Sequence, residues 1–111
     1  MGELWEKSTG SPIPLGCIVI RRSLLSGLKE KVDQLIRLSI QQAFLKPDLA
    51  MEYVQKYAQE MDESVMKQHI DLYVNNFSLN LGSEGKRAVE LLFKKGHDCG
   101  LLPPILSSIF V

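Results

Sequence analysis

The sequence has 111 residues, 45% of them apolar and 23% charged, with 13 basic residues set against 13 acidic ones. A chain of that size builds one modest core at most, and its balanced, interleaved charges argue against a nucleic-acid partner, which would call for a basic face. Its apolar runs fall well short of the roughly 20 residues that cross a bilayer, and two cysteines, Cys17 and Cys99, make neither a metal pattern nor a disulfide framework.

The opening stretch "GELWEKSTG" carries enough Glu, Leu and Lys for a short helix, which Gly10 stops at the place where a left-handed residue caps a helix. It lacks the charged-then-apolar layout of an export signal, so the cytoplasm is the expected location. "PIPLGCIVIRR", residues 12–22, follows. Pro12 and Pro14 force an extended path, and residues 15–20 are apolar throughout, which suits a short β-strand covered on both faces. Cys17 then reads as a small core residue, and Arg21 and Arg22 mark the exit to solvent. A lone strand cannot pair its own backbone, and nothing else in the chain supplies an obvious sheet.

From Ser23 the period becomes helical. Leu28, Val32, Leu35, Ile36, Ser39 and Ala43 share a face that Leu24, Leu25, Ile40 and Phe44 widen. Ser23 or Ser26 is the expected N-cap, and Pro47 ends the helix at Lys46 after about twenty residues, because the residue before proline is pushed out of the α region. A second helix over residues 48–61 places Ala50, Val54, Tyr57, Ala58 and Met61 at helical spacing, with Pro47 and Asp48 in its first turn. Asp62 and Glu63 start a third, where negative charge complements the helix dipole, with Met66, Ile70, Tyr73, Val74 and Phe77 as its stripe. Asn80 and Gly82 interrupt it, Ser83 and Glu84 restart, and Ala88, Val89, Leu92 and Phe93 line a fourth that Gly96 and Gly100 close. Residues 99–111 form a tail stiffened by Pro103 and Pro104.

Residues that could carry chemistry are few. His69, between Gln68 and Ile70, reads as a surface or half-buried histidine, and His97 as a cation favoured by a helix C-terminus. Glu52, Glu60, Asp62 and Glu63 form a solvated acidic face from which spacing selects no catalytic pair. Gly82, Gly85 and Lys86 do not spell a phosphate loop, since the spacer and the Gly-Lys-Ser/Thr ending are missing. Asn75 and Asn76 could bind a polar ligand, but near a helix end such residues serve as caps. No metal set is present and no catalytic residue is assigned.

Taken together, "LWEKSTGSPIPLGCIVIRR", "YVNNFSLNLGSEGKRAVELLF" and the closing "IFV" resemble the carboxyl-terminal two fifths of the 1,4-dihydroxy-6-naphthoate synthase family of the futalosine route to menaquinone. The resemblance runs through the whole chain in the same order and spacing. A sister family, chorismate dehydratase, usually lacks the Pro-Leu-Gly found at Pro14, Leu15 and Gly16. The resemblance implies a two-lobed α/β fold similar to type II periplasmic binding proteins, with a small-molecule substrate between the lobes and no metal or organic cofactor. On that reading the chain is a single segment: a short helix and turn over 1–11, an interlobe crossing strand over 12–22, four to five helices over 23–98 and the tail. The strand's partners lie upstream, and Pro14, Leu15 and Gly16 are candidates to line the cleft. The family's histidine base sits in an Ile-His-Glu stretch that neither His69 nor His97 matches, so the chain alone is expected to be inactive. A solute-binding protein of the same fold and a self-standing helical interaction module are the remaining alternatives. Self-association through the uncovered strand is a further expectation.

Overall fold

The computed structural model describes residues 2–59 and 62–111. Glu60, placed above on an acidic face, and Met61, the last apolar position of the second long helix, lie outside the described residues, as does Met1. Among the described residues six helices succeed one another: α1 (Gly2–Thr9), α2 (Ser26–Leu45), α3 (Pro47–Tyr57), α4 (Glu63–Tyr73), α5 (Asn76–Leu79) and α6 (Gly82–Asp98). They fall into two compact units, one made of Met1–Arg22 with Leu81–Val111 and the other of Ser23–Asn80.

The predicted β-strand is corrected. Among the described residues there is no strand at all, so neither the crossing strand over 12–22 nor the α/β two-lobed architecture is present. Residues 12–20 run without helix, strand or turn, and among the described residues no backbone hydrogen bond fixes them. The physical reason is that β-propensity measures how well a side chain fits a pleated, half-buried surface, and a strand exists only where a neighbouring backbone completes its ladder. Without that neighbour, an apolar run stays extended and open. Ile18 is 74% and Val19 82% exposed, and Cys17 is exposed rather than a core residue.

In the first unit, α1 closes on Gly10, whose φ of 67° is the left-handed conformation that glycine adopts without a Cβ penalty. Its N–H donates to the Glu6 carbonyl at 2.8 Å, the single bond of an αL cap. The Thr9 hydroxyl bonds back to the Trp5 carbonyl at 2.8 Å. Ile13 lies over the start of α1, where a methyl added to Gly2 would stand 3.6 Å from its Cγ2. Along α6, Gly85 and Ala88 are buried, and the half-buried Leu91, Leu92 and Phe93 continue that face. The helix runs on through Gly96 to Asp98 and ends in a Schellman motif around Gly100, φ 72°: the Leu101 N–H reaches the Gly96 carbonyl and the Gly100 N–H the His97 carbonyl, each at 2.8 Å. Gly96 therefore does not end the helix. It makes room for Leu102, whose Cδ1 would lie 2.6 Å from any Cβ placed there.

In the second unit, α2 packs against α3 and α5. Its half-buried side is the narrow row Val32, Ile36 and Ile40, while Leu28, Leu35, Ala43 and Phe44 of the expected stripe stay exposed. Neither serine caps it: Leu25 occupies the N-cap without a side-chain bond, and the Leu28 and Lys29 amides donate to the Leu25 carbonyl instead. Lys46, at φ −138° and ψ 66°, breaks α2 where Pro47 requires it, and Pro47 begins α3. Met51 of α3 and Met66 of α4 are the buried apolar side chains of this unit among the described residues, and the flexible thioether suits such irregular gaps. Tyr57 is exposed and its ring packs against that of Tyr53, with centroids 4.6 Å apart and planes tilted by 42°.

The predicted third helix divides in two. Tyr73 ends α4, and Asn75 starts α5 with a capping box, its Oδ1 accepting the Phe77 N–H at 3.0 Å while its own N–H donates to Ser78 Oγ at 3.1 Å. Asp62 caps α4, its Oδ1 accepting the Ser64 N–H at 2.8 Å, the Ser64 hydroxyl at 2.7 Å and the Val65 N–H at 3.2 Å. The Ser64 hydroxyl foremost, then the two amides, hold the Asp62 carboxyl below its ordinary value of 3.8. A folded-state pKa below the unfolded one means that the cap contributes fully above pH 3.8 and is lost as the pH falls through the lowered value. Asn caps as well as Asp. Asp62→Asn should therefore keep neutral-pH helicity by circular dichroism and flatten part of the acid loss, whereas Asp62→Ala should lose helix at every pH. An acid profile identical in Asp62→Asn and the parent chain would show that this carboxyl contributes nothing.

Candidate functional site

The segment that leaves α1 is the natural place to look for a site, because an extended chain with free backbone groups can approach a ligand closely. Pro14 is half-buried, while Leu15, at 60% exposure, and Gly16 face solvent. Gly16 lacks a positive φ, and a Cβ on it would meet nothing within 4 Å. Neither its own conformation nor the space around it calls for glycine within this chain. The three candidates are neighbours by sequence.

The histidines are apart and differently engaged. His69 is exposed on α4. His97 Nδ1 lies 3.0 Å from the Leu102 carbonyl oxygen, and since that oxygen can only accept, the nitrogen facing it carries the proton. This contact ties the last turn of α6 to the tail, a role that the spacing in sequence does not reveal. One turn earlier, Lys94 Nζ donates to Asp98 Oδ2 at 2.8 Å. That bond first, followed by the charges of Lys94, His97 and Lys95, keeps the Asp98 carboxyl below its ordinary range. Both partners are exposed, so the pair steadies the helix surface and marks no acid-base site.

Among the described residues, two depressions lie within the first unit. One, of about 310 Å³, lies between the end of α1 at Gly10 and Ser11 and the residues Glu84, Arg87 and Leu91 of α6. The other, of about 210 Å³, is bounded by Arg22, Phe93, Pro103 and Ile109. Neither includes Pro14, Leu15 or Gly16. Among the described residues no three His, Cys, Asp or Glu side chains gather as a metal site, and no helix is long and apolar enough to cross a membrane. Asn75 acts as a helix cap, as its place near a helix end suggests.

Comparison with known proteins supplies what this geometry lacks. A family model described as "Menaquinone biosynthesis" matches residues 1–98, and the chain belongs to that family. Two curated relatives carry the name 1,4-dihydroxy-6-naphtoate synthase. The protein from Thermus thermophilus is 41% identical over 111 residues, all of this chain and 41% of that protein. The one from Streptomyces coelicolor is 43% identical over 105 residues, 95% of this chain and 37% of that protein. The chain thus spans about two fifths of the length of the curated relatives it matches.

Proposed function

We propose that this chain is the carboxyl-terminal portion of a 1,4-dihydroxy-6-naphthoate synthase, a carbon–carbon lyase of the cytoplasm. Its substrate on this reading is cyclic dehypoxanthine futalosine, cleaved to 1,4-dihydroxy-6-naphthoate without metal or organic cofactor. The observation that carries the reading is the match over all 111 residues, at 41% identity, to a protein bearing the synthase name. Identity spread over a whole chain preserves core positions and turn residues together, which a shared short motif would not. Both relatives carry the synthase name, which favours it over chorismate dehydratase.

The part played by these residues is support and positioning. Pro14, Leu15 and Gly16 would border the substrate, presented by a segment whose prolines fix its direction. The general base would be supplied by sequence outside the matched two fifths.

The test is a chimera in which this chain replaces the matching part of the Thermus thermophilus protein. It should turn over cyclic dehypoxanthine futalosine, and Gly16→Val in it should raise KM with helix content unchanged. A folded chimera without turnover removes the synthase reading, and an unchanged KM removes Gly16 from the site.

A further inference from the structure

The tail is not a loose end. It turns back over α6 and is held at three separated points, all within the first unit. At its base, Leu102 sits against Gly96, with the Leu102 N–H 3.1 Å from the Gly96 carbonyl and the Leu102 carbonyl 3.0 Å from His97 Nδ1. In its middle, Arg22 Nη1 donates to the Ser108 carbonyl at 2.8 Å across 86 positions of sequence. Near its end, Lys86 Nζ stands 5.3 Å from the centre of the Phe110 ring. Ile109 and Phe110 are half-buried, although Leu106 at the crest of the arch is 91% exposed. A chain that rises at Leu106 and returns at Phe110 has been pinned, since an unattached terminus would be exposed throughout.

We propose that residues 101–111 form a strap whose Arg22 and Lys86 latches clamp the far end of the extended segment 12–22 against α6. Among the described residues that segment has no backbone hydrogen bond between residues 12 and 20. Its near end is set by Ile13 over α1, and Arg22 at its far end is joined to the tail. Two anchored ends narrow the range of paths open to the residues between them, so the strap limits where Pro14, Leu15 and Gly16 can stand. A charged donor on a backbone carbonyl is stronger than a neutral bond, and an ammonium over a ring adds a second hold that also depends on charge. Both latches are cationic side chains at the surface, so either can be removed without disturbing a buried position. The strap does not depend on the synthase reading.

The experiment uses the full chain with its four phenylalanines fluorinated. Phe44 and Phe77 belong to the second unit and serve as internal references. In the parent chain the Phe110 fluorine resonance should stand away from the free-residue position. Arg22→Ala and Lys86→Met should each bring it back, moving Phe93 as well and leaving Phe44 and Phe77 in place. In a Cys99→Ser background, a nitroxide on the exposed Cys17 then reads the extended segment. Lys86→Met, 69 positions away, should abolish its immobilised component. A Phe110 resonance already at the free-residue position in the parent chain, or one that neither variant moves, overturns the strap. A Cys17 label indifferent to Lys86→Met overturns its hold on the segment.

Discussion

Purified by itself, the 111-residue chain is expected to release no detectable dihydroxynaphthoate from cyclic dehypoxanthine futalosine. Enzymes accelerate their reactions by at least about a millionfold, and that requires a base, an enclosed pocket and oriented polar groups acting together. Among the described residues these do not come together. His97 is committed to the Leu102 carbonyl, and His69 stands exposed on α4. The larger depression, about 310 Å³, lies open between α1 and α6 and is bordered by Glu84 and Arg87 rather than by either histidine. Ligand sites of comparable volume work by burying most of their ligand's surface. Activity of the chimera combined with silence of the isolated chain is the expected pair of results. Turnover by the isolated chain that His69→Gln or His97→Gln abolished would move the catalytic centre into these residues.

Local chemistry made most of the helices legible. Gly10 stops α1, Pro47 separates α2 from α3, and Asp62 opens α4, because each acts on the backbone within a few residues of itself. The division between α4 and α5 was visible in Asn75 but was outweighed by the apolar spacing of Tyr73, Val74 and Phe77, which a helix-period reading joins together. The cap prevailed, since its two hydrogen bonds fix the backbone more firmly than three half-exposed side chains can. Leu28, Leu35 and Phe44 were assigned to a buried face by the same periodicity, which says what a helix could cover and not what stands opposite it. The strand failed for a related reason, as β-pairing is decided by a second backbone. Contacts such as Arg22 to Ser108 left no trace in the sequence, because a side chain meeting a carbonyl demands no particular residue at the accepting end. For the site, sequence resemblance indicated the family, while Pro14, Leu15 and Gly16 border neither of the two depressions described.

The extended segment should make the isolated chain self-associate. Leu15, Ile18 and Val19 are 60%, 74% and 82% exposed, and they sit on a stretch whose N–H and C=O groups find no partner between residues 12 and 20 among the described residues. Each of those features alone is tolerable in water. Together they form a template, because a second copy laid alongside satisfies the backbone and covers the side chains at once. Burial of apolar surface returns about 25 cal/mol per Å², so covering a few hundred square ångströms on each copy offers several kcal/mol, enough to offset part of the entropy of association. Light scattering at micromolar concentration should show dimers or larger species. Val19→Lys should return the chain to monomer, since a charged side chain at that position would have to be desolvated in the paired state and is a familiar guard of natural sheet edges. Arg22→Ala, which frees the far end of the segment without altering its apolar side chains, should strengthen the association rather than weaken it. A chain that stays monomeric at every concentration, with a hydrodynamic radius that Val19→Lys leaves unchanged, would show that the open segment is held too far from its paired conformation to recruit another copy.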